Sequence, residues 1–583
     1  MTENSEVLRI DLDSKEISKE TIDNSLLDEY IGGQGVAAAI IDKEVAPDTK
    51  PYDGNNLLIF SVGPFTGTQI PFCGRHFVMS ISPLTGMLGE ASSGGFFGKE
   101  MAAAGYSHII IKGKSASPVY LWINDGSVEL KDASGLWGTN TRATEAKIKE
   151  ELGDAKIKIT SIGTAGENLV RYASIMNEED RAAGRCGLGA VMGSKKLKAI
   201  AVKGTRSVKV HDPEKTKEVA KQIRDLAKES LFGNILSNFG TQSSMENGPG
   251  IGDVPIKNYT LSRWKGTKKL TPSKLQEREL KKHACFNCPV ACTKTLEYDG
   301  AWTRAPEYET LAMLGANVQV DDLEKIIEWN VLANDLGLDT ISLGATISCF
   351  LETIQEELID IDPTKFGIKK IQDEEKGDYW DVWGCDEAIS TLIPMIAARD
   401  GIGDQLADGV KRFIETNSLP EDMDTTGKGL EMPAHEPRGN NLAALDYATT
   451  PRGAFHCYMP MLLSSNMNLK NDIGLSSLVD RFGKDETIVD AVIKIQDAAT
   501  VFDACGGCIF GFQTLSEVQP WVDAVNAVKG ANLDIDSWME AGSRIFNLKR
   551  KYNEKLGITK EDDTLGKRFF NKIKKGGTKK NIP

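Results

Sequence analysis

The chain has 583 residues, of which 40% are hydrophobic and 26% are charged. A chain of this length can bury a large core and is expected to form about two to four domains. Its formal charge of −14 argues against a nucleic-acid partner, because no broad basic field is available to neutralise phosphates. No apolar run approaches the roughly 20 residues of a membrane span, and the polar amino terminus lacks a signal-peptide pattern. We therefore predict a cytoplasmic protein without a membrane partner.

The first part of the chain, residues 1–207, has the pattern of a sheet-forming domain. Short apolar runs that are bounded by glycine, proline or charged residues predict buried strands. The clearest runs are residues 57–60, 108–111, 119–123 and 199–202. These runs predict a β-rich amino-terminal domain.

Glycine-rich loops are unusually dense in the same region. They are residues 32–35, 63–64, 93–95 and 184–189. Glycine permits positive φ and close backbone approach, so such loops either make tight turns or line a cofactor bed. Tight-turn chemistry explains any one loop alone, and none has a Walker or Rossmann spacing. Several loops carry or adjoin an arginine, whose forked guanidinium fits phosphate, so the set together indicates an anionic cofactor. These arginines are Arg75, Arg181 and Arg185.

From about residue 208 onward, helical spacing replaces the strand pattern. Apolar residues at three- and four-residue intervals predict helices over residues 322–335 and 485–502. Each helix ends in a similar six-residue segment with glycine at its fourth position. We call residues 334–339 the first hexad and residues 503–508 the second hexad. A polar stretch at 420–429 favours a boundary that divides two mainly helical domains, 208–428 and 429–583.

The similarity of the two hexads indicates that the same type of helix end occurs twice in the chain. A carboxylate at a helix end can accept paired hydrogen bonds from a ring with adjacent N–H donors, as in a pterin. An ordinary glycine-capped helix end explains either hexad alone. The repetition is what makes a pterin site worth considering.

Three cysteines, Cys285, Cys288 and Cys292, form a CxxCxxxC group. Such a group with one distant cysteine can hold a [4Fe-4S] cluster, and the second hexad offers two candidates for the fourth thiolate, Cys505 and Cys508. The alternatives are a four-thiolate structural zinc site and a redox dithiol at one CxxC pair. The ten cysteines are not spaced as a small-domain disulfide framework, which suits thiolates that are kept reduced for metal binding.

Over nearly its whole length the chain resembles the tungsten-containing aldehyde:ferredoxin oxidoreductase family. The resemblance rests on the CxxCxxxC group, on the two hexads, and on residues 82–86, 89–98 and 181–194. In that family the last residue of the second hexad supplies the fourth cluster ligand, so the resemblance implies Cys508 and leaves Cys505 as an extra thiol. The chain departs from the family pattern at Asn334, where Asp is usual, and at Gly507, where Leu is usual.

The resemblance implies an α+β multidomain fold, in which a β-sheet-rich amino-terminal base domain binds the pterins and is followed by two mainly α-helical domains. Two molybdopterin-type dithiolenes would hold tungsten through four sulfurs, so the protein need not supply a ligand to that metal. Arg75 and Arg181 would contact the pterin phosphates, and the backbone carbonyls of Ser92 and Ala182 would meet a bridging Mg2+. The implied cofactor-binding residues of the base are Arg75, Ser92, Ser93, Gly94, Gly95, Arg181, Ala182, Gly184 and Arg185. Those of the hexads are Asn334, Asp335, Leu338, Asp339, Asp503 and Gly507.

Candidate catalytic residues also follow from family-like segments. The segment 306–310 contains Glu309, which is favoured as the active-site carboxylate, with Glu307 as the alternative. The segment 452–456 ends in His456, which could donate a hydrogen bond to a substrate carbonyl, and His435 is a further candidate for the pocket lining. A buried glutamate with a raised pKa can activate water or accept a proton.

The implied reaction is oxidation of an aldehyde to a carboxylic acid, with electrons passed through the [4Fe-4S] cluster to ferredoxin or a dedicated electron-transfer subunit. One alternative is a related low-potential tungstopterin reductase that acts on an aromatic thioester or another substrate within a larger complex. A non-catalytic scaffold stapled by zinc is a third hypothesis. Tungsten is favoured over molybdenum by family habit alone. Some family members hold an iron between subunits through a Glu and a His, but no histidine lies between His283 and His435, so a homodimer is a less secure expectation.

Overall fold

The computed structural model describes residues 6–178, 180–375, 377–458, 472–475, 479–573 and 576–583. Two six-stranded sheets occupy the first two hundred residues, and helices dominate the remainder. The predicted α+β class, with a β-rich amino-terminal part and a helical carboxyl-terminal part, is confirmed. The domain boundaries at 207 and 428 stay predictions. In the part of the chain that the structure describes, every helix is too short or too polar to cross a bilayer.

The first sheet has the strand order β2-β1-β6-β3-β4-β5. Its strands are β1 (Glu6–Asp11), β2 (Glu16–Thr21), β3 (Leu58–Ser61), β4 (His76–Ile81), β5 (Leu88–Ser93) and β6 (Tyr106–Lys112). Only β1 and β6 pair in parallel, and all other neighbours are antiparallel. The central strands are buried along their whole length because both faces of the sheet are covered, which explains why they read as continuous apolar runs.

The second sheet repeats this topology. Its strands are β7 (Val119–Asn124), β8 (Ser127–Asp132), β9 (Lys158–Ser161), β10 (Ile175–Asn177), β11 (Arg181–Ala183) and β12 (Leu197–Lys203). The order β8-β7-β12-β9-β10-β11 corresponds strand by strand to that of the first sheet, and β7 and β12 form the one parallel pair. The amino-terminal region therefore consists of two half-repeats, whose last edge strands, β5 and β11, contact each other.

Helices occupy equivalent positions in the two half-repeats. They are α1 (Asn24–Tyr30), α2 (Gly33–Glu44), α3 (Phe97–Ala103), α4 (Thr141–Leu152), α5 (Thr164–Glu167) and α6 (Leu188–Ser194). Helix α2 follows β2 as α4 follows β8, and α3 follows β5 as α6 follows β11. Asn140 caps the amino terminus of α4 by accepting from Ala143 N, and Gly153 ends that helix with φ 68°.

The remaining residues form fifteen helices and three small antiparallel sheets in the described part of the chain. The helices that carry most of this region are α7 (Pro213–Glu229), α8 (Leu231–Phe239), α9 (Ser244–Ile251), α10 (Pro272–Leu275), α11 (Tyr308–Met313), α12 (Leu323–Leu336), α13 (Thr340–Gln355), α14 (Asp386–Ala398), α15 (Ile402–Leu406), α16 (Val410–Thr416), α17 (Asn441–Thr449), α18 (Glu486–Ala504), α19 (Ile509–Leu515), α20 (Gln519–Lys529) and α21 (Ile535–Lys555). The small strands are β13 (Lys281–His283), β14 (Thr293–Tyr298), β15 (Ala301–Arg304), β16 (Lys369–Ile371), β17 (Tyr379–Asp381), β18 (Thr426–Gly427) and β19 (Leu430–Glu431).

The two hexads lie at the ends of α12 and α18, close to the predicted positions. Gly337, with φ 75°, ends α12, and Gly506, with φ 86°, follows the end of α18. Both values lie in the left-handed region that glycine tolerates best. The predicted helices and their glycine turns are therefore present.

Each hexad packs against an equivalent glycine of one half-repeat. A Cβ on Gly63, after β3, would overlap the backbone of Cys505 and Gly506, and a Cβ on Gly163, after β9, would overlap the backbone of Leu336. Phe65 N donates to Cys505 O at 2.9 Å, and Ser174 N donates to Gly337 O at 2.8 Å. The helical part is thus joined to the base by two backbone contacts that leave no room for a side chain.

We predict that replacing Gly63 by Ala destabilises the protein by about 1–3 kcal/mol, because backbone atoms must shift to admit the new methyl group. The matched control is Gly135→Ala, since a Cβ at Gly135 meets nothing within 4 Å. Thermal unfolding of both variants measures the difference. Equal unfolding midpoints for the two variants would contradict the tight backbone contact.

Candidate active site

The four predicted cluster cysteines come from two separate parts of the fold. Cys285, Cys288 and Cys292 lie in the connection between β13 and β14, and Cys508 immediately precedes α19. All four line one cavity, together with Arg75, Ser93, Gly94, Arg181 and Ala182 of the base. The tertiary structure therefore brings Cys508 to the three clustered cysteines, although it lies more than two hundred residues after them in the sequence.

Backbone contacts hold the two cysteine segments side by side. Phe72 O accepts from Cys508 N at 2.8 Å, while Phe72 N donates to Asn287 O at 3.2 Å. On the other side of the loop, Phe286 N donates to Gly95 O at 3.1 Å. One residue of the base, Phe72, thus bridges both cysteine segments.

Cys505, the other candidate for the fourth thiol, lies outside this cavity. Its side chain is fully buried in the apolar core around α18. The geometry therefore separates Cys508 from Cys505, although the two are only three residues apart.

Four thiols suit the ligand number of either a four-iron cluster or a tetrahedral zinc ion, and the two differ in the sulfur spacing that they need. A tetrahedral zinc with Zn–S distances of about 2.3 Å needs sulfurs about 3.8 Å apart. Across the described residues, no group of three His, Cys, Asp or Glu side chains approaches closely enough to hold one ion. A four-iron cage binds each thiolate to a different iron and accepts a wider spacing. All ten cysteines are free thiols.

A second, larger cavity lies next to the cysteine cavity and shares part of its wall. The shared residues are Arg75, Ala182, Arg304, Glu307 and Phe510. The larger cavity is also lined by predicted base residues, by hexad residues and by the predicted catalytic side chains. These are Ser92, Gly184, Arg185, Asn334, Asp339, Glu309, His435 and His456.

Glu309 and two histidines form the polar centre of the larger cavity. Glu309 Oε1 lies 3.3 Å from His456 Nε2 and 3.8 Å from His435 Nε2, and Glu309 Oε2 accepts from Ala434 N at 2.8 Å. The other nitrogen of His435, Nδ1, lies 2.7 Å from Asp253 Oδ2. Among the described residues, none is a hydrogen-bond partner of the buried His456 Nδ1.

The pKa values of the three side chains are shifted in different directions. Burial raises the pKa of Glu309, and nearby His435 offsets this rise only in part. Burial alone would lower the pKa of His435, but Asp253 and Glu309 outweigh it and the pKa is raised. Burial lowers the pKa of His456 well below its usual range, and His435 and Arg185 lower it further. His456 is therefore neutral, while His435 holds its proton to a higher pH.

Glu307 occupies a different place from Glu309. Its Oε1 accepts from Arg304 Nη2 at 2.6 Å and from Arg304 Nε at 3.0 Å, and its Oε2 accepts from the Thr241 hydroxyl. Glu307 is thus engaged in an ion pair in the wall between the two cavities. Glu309, by contrast, presents an unpartnered buried oxygen, Oε1.

The base presents cationic groups that lack anions. Arg75 Nη1 donates to Ser92 Oγ at 3.0 Å, and Arg181 Nη1 donates to Cys285 Sγ at 3.1 Å. Arg75 Nε and Arg181 Nη2 are buried without a partner in the part of the chain that the structure describes. Unpartnered buried donors are rare in folded proteins, so these atoms fit a bound anion such as phosphate.

Glycines keep the floor of this region open. A Cβ on Gly94 would lie 2.8 Å from Cys285 Sγ, and a Cβ on Gly95 would lie 2.6 Å from Glu178 Oε2. Gly94 lines the cysteine cavity, whereas Gly95 contacts the β10–β11 turn behind it. Arg185 is already paired, because its Nη1 donates to Asp339 Oδ2 at 2.8 Å, but its Nε has no partner.

The hexad residues divide into those that reach the cavities and those that do not. Asn334 and Asp339 line the larger cavity. Asp335 pairs with Arg142 at 3.4 Å, and Leu338 is buried in a β-bridge with Ala173.

In the second hexad, Asp503 is buried, and burial with the nearby Glu90 charge raises its pKa to about 7. A Cβ on Gly507 would overlap the ring of Phe502. This contact is the physical reason why glycine stands at a position where leucine was expected.

Several residues around the two cavities were not among the residues predicted from the sequence. Asp253 orients His435, Arg304 pairs with Glu307, and Cys457 lines the larger cavity beside His456. Tyr308, between the two glutamates, donates its hydroxyl to Ala434 O at 2.5 Å. Tyr308 and Cys457 adjoin predicted site residues, and that proximity was the available signal for them.

Comparisons with known proteins agree with this arrangement. The family model described as aldehyde ferredoxin oxidoreductase, N-terminal domain, matches residues 7–204. The model described as aldehyde ferredoxin oxidoreductase, domains 2 and 3, matches residues 217–583. Together the two models cover nearly the whole chain.

Individual relatives cover a similar extent. The chain is 37% identical to a tungsten-containing aldehyde ferredoxin oxidoreductase of Pyrococcus furiosus, over 97% of this chain and 91% of the relative. It is 28% identical to a WOR-like subunit of an aliphatic sulfonate oxidoreductase from the same organism, over 100% of this chain and 91% of the relative. Among solved structures, the active site complex BamBC of benzoyl coenzyme A reductase is similar with a TM-score of 0.84 and 25% identity, over 97% of this chain and 90% of that chain.

We predict that Asp253→Asn destabilises the protein more at low than at high pH. The folded-state pKa of His435 is raised above its usual value, so the pair stabilises fully below the unfolded pKa of about 6.5 and ceases to do so as pH rises through the folded pKa. We expect a loss of about 1.5–3 kcal/mol near pH 6 and a smaller loss near pH 9. Thermal unfolding across this range measures it. The exposed Asp536→Asn variant is the control, and an equal effect of D253N at both pH values would contradict the charged pair.

Proposed function

The chain belongs to the aldehyde ferredoxin oxidoreductase family, and on that basis we propose that it oxidises an aldehyde to a carboxylic acid in a tungsten-dependent reaction. The electrons leave through a [4Fe-4S] cluster to ferredoxin. The observation that carries this proposal is the shared wall between two cavities. One cavity holds the carboxylate of Glu309 with two histidines, and the other holds four cysteine thiols.

The tungsten bis-pyranopterin belongs in the larger cavity, with its phosphates at Arg75 and Arg181 and Mg2+ at the carbonyls of Ser92 and Ala182. The unpartnered guanidinium nitrogens of both arginines support this assignment, because a phosphate supplies the missing acceptors. Ser92 lies on edge strand β5 and Ala182 on edge strand β11, which are equivalent strands of the two half-repeats, and this suits a cofactor with two similar halves. When bound, the cofactor supplies the two-electron acceptor for the reaction.

Asp339 and Asn334 of the first hexad, and Asp503 of the second, are the assigned partners of the pterin rings. Asn334 and Asp339 face the larger cavity. Asp503 has a raised pKa near neutrality, so it can exchange a proton with a bound ring near pH 7. Asp335 and Leu338 have structural neighbours of their own, and their part is to hold the turn.

Cys285, Cys288, Cys292 and Cys508 are the assigned ligands of the [4Fe-4S] cluster. Arg181 supports this role because it donates to Cys285 Sγ at 3.1 Å, and a cationic donor stabilises a thiolate. The same guanidinium has a second nitrogen free for the pterin phosphate. One side chain thus connects the two cofactor sites.

Glu309 is the assigned base. Oxidation of an aldehyde with water releases two protons and two electrons, so the site needs a proton acceptor. Burial raises the pKa of Glu309, which brings a carboxylate closer to the pKa that efficient general bases have near neutral pH. Neutral His456 lies 3.3 Å from this carboxylate, and its two ring nitrogens can accept and donate in turn.

His435 is the assigned hydrogen-bond donor to the substrate carbonyl. Asp253 holds its Nδ1 and raises its pKa, so the ring keeps a proton and a positive charge to a higher pH. A charged donor stabilises negative charge that develops on a carbonyl oxygen. His456 shares this role only as a neutral donor.

The similarity to the solved benzoyl coenzyme A reductase complex supports a second candidate function, that of a low-potential reductase that acts on an aromatic thioester. Identity favours the aldehyde assignment, with 37% against 25%. The larger cavity has arginines, but Arg185 and Arg304 already pair with carboxylates, so a neutral substrate suits it better than one with additional phosphates. An aldehyde that carries no phosphate or other ionised group is neutral.

Several assignments rest on family resemblance more than on geometry. Tungsten is preferred to molybdenum for this reason, and a dedicated electron-transfer subunit could replace ferredoxin as the acceptor. A homodimer and a cytoplasmic location stay predictions; ten free thiols support a reducing compartment.

We predict that the purified protein oxidises one or more members of a broad aldehyde panel with a viologen dye, and that Glu309→Gln lowers kcat by about 10²- to 10⁴-fold because the proton acceptor is lost. Tungsten and iron contents should not change. Glu307→Gln is the matched control, since Glu307 pairs with Arg304, and we expect a smaller effect. Absence of turnover with every aldehyde would overturn the proposed substrate class, and a larger loss in E307Q would reverse the assignment.

We predict that Cys508→Ala lowers the iron content from about four atoms per chain toward zero, because one ligand of a four-iron cluster is lost. Cys505→Ala, three residues away, should retain its iron. Elemental analysis and the electron paramagnetic resonance signal of the reduced cluster measure both variants. Equal losses, or about one zinc per chain without iron, would contradict the cluster assignment.

A further inference from the structure

We propose that a small acidic electron-carrier protein docks on one surface formed by the end of α7, by α8 and by the β13–β14 hairpin. We call this surface the exit face, and it consists of Lys228, Leu231, Phe239, Lys281, Lys282 and Pro289. The proposal rests on the proposed function, since it supplies the route by which electrons leave the cysteine cavity. It adds the location of the partner and the forces that bind it.

The exit face lies directly over the cysteine loop. Lys282 Nζ donates to Ser237 Oγ of α8 at 3.0 Å, and Lys294 Nζ donates both to Ser237 O at 3.1 Å and to Cys292 O at 3.3 Å. A Cβ on Gly240, which follows α8, would lie 2.9 Å from Cys292 O. The helix and the cysteine hairpin therefore form one continuous surface.

The cysteine loop itself reaches solvent. Pro289, which directly follows Cys288, is exposed. A carrier that accepts electrons must approach the donor closely, because electron transfer weakens steeply with distance. A carrier that contacts Pro289 comes within one residue of a cysteine that lines the cavity.

Helix α8 presents apolar side chains to solvent at this place. Leu231 is 76% exposed and Phe239 is 39% exposed. They are eight residues apart, which places them within about 80° of each other around the helix axis. Two other apolar residues of the same helix, Phe232 and Leu236, line the larger cavity. Helix α8 therefore packs inward with other side chains than the exposed pair. Exposed apolar residues with a charged rim are typical of a docking surface.

The charge of this region is opposite to that of the protein. Residues 257–304 contain eleven Lys or Arg against four Asp or Glu, a formal charge of +7 in a chain of −14. The exposed members at the exit face include Lys281 and Lys282, and Lys228 adds a side chain that is 73% exposed. Asp225 pairs with Lys228 and offsets part of this charge.

This contrast selects an acidic partner. An acidic protein is repelled by most of the surface and attracted to the exit face, which steers its encounter toward the cysteine loop. Electron-transfer complexes are small and weak, so a few lysines around two apolar side chains are sufficient. A second copy of this chain would bring another net charge of −14, so repulsion between the two copies opposes this alternative.

The test compares two exit-face variants with a matched control. The variants are Lys228→Glu with Lys282→Glu, and Leu231→Ser; the control is Lys560→Glu with Lys567→Glu, two exposed lysines that pair with Glu561 and Glu421 instead. The acceptors are a purified [4Fe-4S] ferredoxin of net negative charge and a zwitterionic viologen. We expect about a tenfold lower kcat/KM for ferredoxin in the double charge reversal at low salt, shrinking at high salt.

The L231S variant should also weaken ferredoxin turnover, but with little dependence on salt. Viologen turnover and iron content should match those of the wild type in every variant. An equal loss in the control, or no loss in either exit-face variant, would overturn the proposal. A change of oligomeric state in the variants, measured by analytical ultracentrifugation, would instead assign the face to a second copy and also overturn it.

The proposed function can fail separately. If the wild type oxidises no aldehyde even with viologen, the substrate assignment is wrong. Calorimetric titration of the holoenzyme with the same ferredoxin still tests the exit face, since binding that is weakened only in the exit-face variants supports the surface without any turnover.

Discussion

The close approach of two glycine turns to two glycines of the base is the contact on which the whole site depends. Gly63 meets the turn of the second hexad, and Gly163 meets the turn of the first, in both cases without space for a Cβ. These contacts fix where α12 and α18 end relative to the sheets. Because Cys508 and Asp339 are the last residues of the hexads, the same contacts place them beside the base.

The half-repeats give this arrangement its symmetry. Strands β3 and β9 lead to Gly63 and Gly163, and edge strands β5 and β11 contact each other between them, with Arg181 at the start of β11 and Arg75 just before β4. A site with two similar halves suits a cofactor with two similar halves. The two hexads nevertheless differ chemically, because the second ends in a cysteine and the first ends in an aspartate. Only one side of the base can therefore lead to the cysteine cavity.

The charges of the site are set by burial and then corrected by neighbours. Burial disfavours every charged group, so Glu309 moves toward its neutral form and His456 is neutral. His435 departs from this trend because Asp253 holds it. Two histidines of the same cavity thus differ in charge at one pH, which allows one to act as a cationic donor while the other relays a proton.

The sequence by itself determined the fold class and the family, and it predicted many of the residues that line the two cavities. Strand runs, helical spacing and glycine punctuation are local properties, so they were legible without coordinates. The CxxCxxxC spacing likewise predicted three thiols at one centre. The sequence left two choices open, between Cys505 and Cys508 and between Glu307 and Glu309, because neighbours in sequence carry the same chemical group.

The family resemblance favours Cys508 and Glu309, and the tertiary structure places the members of each pair in different surroundings. Cys505 faces the core while Cys508 faces the cysteine cavity, and Glu307 is held by Arg304 while Glu309 faces the histidines. The partner Asp253 and the half-repeat topology were also beyond the sequence, since both depend on contacts between residues far apart in the chain. The physical reason is that side-chain direction and burial are set by packing, which local patterns of residue type do not contain.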